Sequence, residues 1–123
     1  MFKTCSQVIL LGIMLLTPLP LFASVVVNEA MFDPLGTDTG LEWIELYNSE
    51  SSPENISGWE VYPDGIGYLT FPQGTSISGK SFFTIHVRTS GTNTAGDFYF
   101  PQATGNMGNT SGSVALFSGE PRG

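Results

Sequence analysis

"EWIELYN", residues Glu42–Asn48, is the stretch whose reading decides the fold. Two carboxylates three residues apart share one face of a helix, where such a pair can do acid–base work. On a strand the same spacing puts them on opposite faces. The residues between and beside them are Trp, Ile, Leu and Tyr, which suit a pleated, half-buried surface. The run is bounded by "DPLGTDTG" (Asp33–Gly40) and "SESSPEN" (Ser49–Asn55), both turn-forming. The stretch therefore reads as a strand, with Ile44 and Leu46 on one face and Trp43, Glu45 and Tyr47 on the other. Glu42 and Glu45 do not form a catalytic pair. One of them is expected on a solvated face, the other paired with a neighbour or accepting backbone donors.

The pattern repeats outward from this strand. No window between 24 and 123 carries apolar residues at helical spacing. Short β-branched and aromatic runs alternate with Gly, Pro, Asn and Ser clusters instead. Strands are expected at Val25–Met31, Leu41–Asn48, Ile56–Tyr62, Tyr68–Phe71, Ser81–Val87, Phe98–Phe100 and Ser113–Gly119. "PDG" (Pro63–Gly65) is a turn in which Pro sets φ and Gly supplies φ > 0. Seven short strands with a turn every eight to twelve residues or so fit an all-β, immunoglobulin-like antiparallel sandwich. Alternation puts Phe83, Ile85 and Val87 on an inner face and Phe82, Thr84 and His86 on an outer one. Trp59, Val61, Val114 and Leu116 are also expected to point inward. Of Phe98, Tyr99 and Phe100, not all can do so. The Gly/Ser/Thr-rich stretch 89–113 reads as long loops around that aromatic island, with a disordered linker as the alternative.

Residues 1–23 have a different character. Lys3 supplies a positive start, Val8–Leu16 an apolar core, and "TPLPLFA" a break ending in a small residue. This reads as a signal peptide, cleaved after Ala23 or Ser24, followed by one domain over 24–123. The expected address is secreted, periplasmic or extracellular, with no stable membrane span after cleavage. Cys5, the only cysteine, leaves with the leader, so no disulfide is available to the mature domain. Three basic and 11 acidic residues remain, a balance of −8. Such a domain is a poor partner for phosphate backbones, which argues against nucleic acid.

Taken together, "VVVNEAMFDP", "EWIELYN", "ISGWEV", "FPQGTSISGKSFFTI" and "GSVALFSGE" resemble, in this order, the lamin tail domain, over nearly all of 25–120. The resemblance implies an immunoglobulin-like β-sandwich. In nuclear lamins the domain follows a coiled-coil rod and contacts proteins and chromatin. In bacteria similar domains sit on exported proteins, often beside hydrolase or nuclease domains, and are thought to act as adapters. No heptad pattern occurs here, so filament assembly is not implied. The family usually closes with a further strand after the "VALFSGE" block, and this sequence ends at Pro121–Gly123. The sandwich is accordingly expected to lack its last strand, as a truncated sequence or the front of a longer protein.

The chemistry-bearing residues support no catalytic, cofactor or metal site. Glu29, Asp33, Asp38 and Glu42 lack the ordered oxygen spacing of a calcium loop. His86 is the only histidine and, with no cysteine left, cannot assemble a zinc site from those residue types. No Gly-x-Ser-x-Gly elbow is present, and the Gly-rich loops have no phosphate-loop Lys. Asn55 and Asn109 fall in glycosylation sequons, which carry meaning only in a host that uses them. The expected function is a non-catalytic binding or adapter domain holding a protein or cell-surface partner. The rival is the accessory front of a secreted hydrolase or nuclease. A weaker third reading is carbohydrate binding through exposed aromatics such as Tyr99.

Overall fold

Strand-forming runs become strands wherever the turns let them pair. The computed structural model describes residues 23–119, so all but the last residue of the expected leader, and residues 120–123, lie outside the described residues. Nine strands are formed among them: β1 (Val25–Met31), β2 (Trp43–Asn48), β3 (Glu54–Asn55), β4 (Glu60–Pro63), β5 (Leu69–Thr70), β6 (Ser76–Ile77), β7 (Phe82–Val87), β8 (Asp97–Phe100) and β9 (Val114–Phe117). β3 and β6 are two-residue pieces in polar turn segments that escape a pattern reading, whereas β5, equally short, falls within the aromatic run expected at Tyr68–Phe71.

One sheet has the order β1-β2-β7-β8, a second the order β5-β4-β9, and β3 pairs with β6. The two larger sheets enclose one core. Ile44, Leu46, Phe83, Ile85 and Val87 enter it from the first sheet, and Val61 from the second. The alternation in β2 and β7 is strict, buried residues interleaved with exposed or half-buried ones. Trp59, Val114 and Leu116 pack against this core only half-buried, which is less than the alternation implies.

The expectation of an antiparallel sandwich needs one correction. β8 runs parallel to β7, with Thr84 opposite Asp97 and His86 opposite Tyr99. Parallel neighbours need a connection that returns to the starting end. Here residues 88–96 make that return. Arg88 adopts φ +57°, a left-handed turn directly after β7. The loop then passes over the outer face, so close to the Tyr99 ring that a Cβ on Gly91 would overlap it. Asn93 Oδ1 accepts the Tyr99 N–H at 3.0 Å, capping a backbone donor of this edge strand.

Asn48, the last residue of β2, is fully buried and stands where the first sheet meets the β3–β6 pair. Its amide nitrogen donates to the carbonyls of Ser52, Ile77 and Ser78, at 2.9, 3.1 and 3.2 Å. Its Oδ1 accepts the Glu50 N–H at 3.0 Å. Removing the side chain leaves these groups without partners, each costing about 1–3 kcal/mol when buried. Asn48→Ala is expected to lose about 2 kcal/mol or more in urea unfolding. A loss below about 0.5 kcal/mol, the level of an ordinary surface change, would show that water replaces the amide.

Candidate functional site

Two polar constellations and one sheet face are the places where chemistry or recognition could reside. The first begins at Glu42, 1 % exposed, just before β2. Its Oε2 accepts from an Arg88 terminal nitrogen at 2.5 Å. Its Oε1 accepts the Met107 N–H at 2.8 Å. Arg88 is also held by its backbone, donating its N–H to the Phe100 carbonyl at 3.0 Å. Glu42 thus ties the start of β2, the end of β7 and the long loop 101–113 together. Gly65 and Gly105, at φ +84° and +83°, let the Pro63–Gly65 turn touch that loop backbone to backbone, where no Cβ fits. Asn109 donates to Asp38 Oδ2 at 3.2 Å. The loop that composition left between order and disorder is anchored at these points.

The second constellation lies on the outer face. His86 Nε2–H donates to Asp97 Oδ1 at 2.9 Å, and Thr94 Oγ1 donates to Oδ2 at 3.1 Å. The His86 ring stacks on Tyr99, centroids 4.5 Å apart. The His86 hydrogen bond lowers the Asp97 pKa, burial raises it, and Thr94 lowers it again, for a net pKa below the ordinary aspartate value. A lowered carboxylate pKa adds stability above the unfolded value, about 3.9, and loses it as pH falls through the folded value. The Asp97 side chain is 43 % exposed, so solvent screens the pair and its worth stays within about 1 kcal/mol. The stability gap between the protein and Asp97→Asn is expected at pH 6 and to narrow as pH falls below the unfolded value and through the lower folded one. A gap that widened on acidification would have the wrong sign and refute the assignment.

The third feature is the outer face of β1-β2-β7-β8, laid out in rows that cross the strands. Met31, Trp43, His86 and Tyr99 form one row; Glu29, Glu45, Thr84 and Asp97 the next; Val26, Tyr47 and Phe82 the third. Tyr47 and Phe82 rings lie 4.8 Å apart, and Phe82 is 53 % exposed. The opposite side of the sandwich has a smaller aromatic group, Tyr62, Tyr68 and Phe117. An apolar cavity of about 320 Å³ opens between Phe32, Met107 and Val114, with Asp64 at its lining.

These placements answer the sequence expectations directly. Glu45 is on the outer face, where Asn28 donates to it at 2.8 Å, while Glu42 is the buried partner of a cation and a backbone donor. His86 is a strand residue, as expected, yet its bond to Asp97 could not be foreseen without the parallel register. Tyr99 faces outward beneath Gly91, whereas Phe98 and Phe100 turn to the core. Glu29, Asp33, Asp38 and Glu42 do not converge. Among the described residues no group of three His, Cys, Asp or Glu is placed to hold a metal ion. The burial of Glu42 did have a sequence signal. It shares parity with Ile44 and Leu46, the inward face of the strand.

Two facing sheets around one core, a parallel edge strand and long inter-sheet loops define an immunoglobulin-like β-sandwich. The family model of the Lamin Tail Domain matches residues 21–121. The chain belongs to the lamin tail domain family. A comparison with curated proteins finds no match.

Proposed function

We propose that this chain is a non-catalytic binding or adapter domain of an exported protein, acting at the cell surface or outside the cell on a protein or surface partner. The observation that carries this reading is the contrast between its polar and aromatic groups. Glu42 and Arg88 are committed to each other and to a loop, and His86 and Asp97 to each other. Meanwhile aromatic side chains occupy the outer faces of both sheets. Exposed apolar clusters with polar neighbours mark interaction surfaces. The amino-terminal Lys3 and the apolar run Val8–Leu16 support export.

The test uses the chain as its own cells produce it. Saturable binding to the envelope fraction of those cells is expected, with no turnover of ester, phosphodiester or glycosidic reporters. Turnover that a point substitution abolishes would overturn the non-catalytic reading. Absence of any saturable binding would overturn the adapter reading.

A further inference from the structure

The outer face of the four-stranded sheet carries an arrangement that the fold does not need. Glu29 and Glu45 stand directly opposite each other across β1 and β2. Like charges at opposed positions destabilise a sheet. Asn28, extruded at the bulge between Val27 and Glu29, eases the pair by donating to Glu45. Among the described residues the Lys and Arg side chains are Lys80 and Arg88, and neither serves this face, while His86, which lies on it, is held by Asp97. Lys80 donates to the Ser49 carbonyl and Arg88 pairs with Glu42. The carboxylates are bordered on one side by Trp43 and on the other by the Tyr47–Phe82 pair, about 7 Å along the strands in each direction.

An acidic row between two aromatic rows fits one kind of group closely. A guanidinium donates two parallel N–H bonds to a carboxylate and also stacks on aromatic faces. An ammonium is a point charge that does only part of this. The chain's net charge of −7 draws a cationic partner and repels an acidic one. We propose that this face docks an arginine-bearing segment of a protein partner, with a guanidinium between Glu29 and Glu45 and its plane against Trp43 or the Tyr47–Phe82 pair. The inference rests on the adapter reading and names the partner's chemistry.

The experiment titrates the secreted chain, uniformly ¹⁵N-labelled, with an alternating Arg-Ala hexapeptide amide, its Lys-Ala and Glu-Ala counterparts, and cellohexaose. The Arg peptide is expected to shift the amides of Glu29, Trp43, Glu45 and Phe82 and to bind more tightly than the Lys peptide. Glu29→Gln/Glu45→Gln should weaken it about tenfold, and Thr70→Ala, an exposed residue of β5 in the other sheet, should not. Because the double variant removes a like-charge pair, its Tm should be equal to or above that of the parent. Equal response to Arg and Lys peptides, shifts scattered over the chain, or undiminished binding by the folded double variant would overturn the proposal. So would a melting temperature lowered by the double substitution, which would make the carboxylates structural. Cellohexaose shifting the same amides in place of the Arg peptide would give the face to a glycan. Concentration-dependent dimers blocked by the double variant would give it to a second copy. Envelope binding by the parent chain separates the two readings. If it persists in the double variant, the adapter reading stands and this face is not its docking surface.

Discussion

Glu42→Ala is expected to destabilise the fold by about 3–5 kcal/mol, the cost of breaking a buried ion pair from one side. The substitution strands two groups at once. Arg88 loses the carboxylate that accepts it at 2.5 Å, and its Nε is already buried without a partner. The Met107 N–H loses its acceptor at 2.8 Å. Against a total stability of about 5–15 kcal/mol for a domain of this kind, such a loss is large. No disulfide offsets it, because the single cysteine is Cys5. Glu42→Gln separates the two roles. Its carbonyl oxygen still accepts from Met107, but it no longer offers a charge to Arg88. Stability should therefore fall in the order Glu, Gln, Ala. Amide exchange at Met107 should stay slow in the Gln variant and quicken in the Ala variant. Equal protection in both variants would show that the loop does not depend on Glu42. Combining Glu42→Leu with Arg88→Met should recover part of the loss, since removing both charges avoids leaving one buried alone.

Phe71→Ala is expected to cost about 3–5 kcal/mol as a buried aromatic deletion. Phe71 is 1 % exposed and follows the two-residue strand β5. Its backbone is fixed on both sides, donating to the Trp59 carbonyl and accepting the Gly58 N–H, each at 2.9 Å. The ring crosses the gap between the sheets. Its centroid lies 6.1 Å from Phe83, 5.7 Å from Phe98 and 5.8 Å from Phe100, and it meets Phe83 and Phe98 edge-on. Deletion empties the middle of this aromatic cluster and removes pair contacts worth about 0.5–1.5 kcal/mol each. Phe71→Leu keeps most of the volume and should cost less, about 1–2 kcal/mol. Urea unfolding followed by circular dichroism measures both. A Phe71→Ala loss below about 1 kcal/mol would mean that the sheets close over the gap.

The contrast between Phe71 and Trp59 shows how far a local pattern reaches. Trp59 sits in "SGWEV", and its larger ring makes it the more evident core candidate. It is nevertheless half-buried, in the wall of a cavity it shares with Val25 and Leu116. Phe71 ends a short run before Pro72, and nothing nearby marks it as the residue that bridges the sheets. Size and hydrophobicity belong to the residue, but depth belongs to the packing of both sheets around it.

What the sequence by itself determined is whatever neighbouring residues encode. The period of two places Ile44 and Leu46, and Phe83, Ile85 and Val87, on inner faces, and all five are buried. Turn chemistry at Pro63–Gly65 and the clusters between runs mark out seven of the nine strands, all but β3 and β6. The parity of Glu42 with Ile44 was likewise present in the sequence, though a carboxylate on an inward face becomes intelligible only with its partners. Those partners lie 46 and 65 residues away, at Arg88 and Met107. The tertiary structure alone decided them, and with them the parallel entry of β8, the His86–Asp97 bond and the opposition of Glu29 to Glu45. The physical reason is common to all four. Each depends on which strand pairs with which and in what register, a choice made by the free energy of the whole sandwich rather than by the preferences of any one segment.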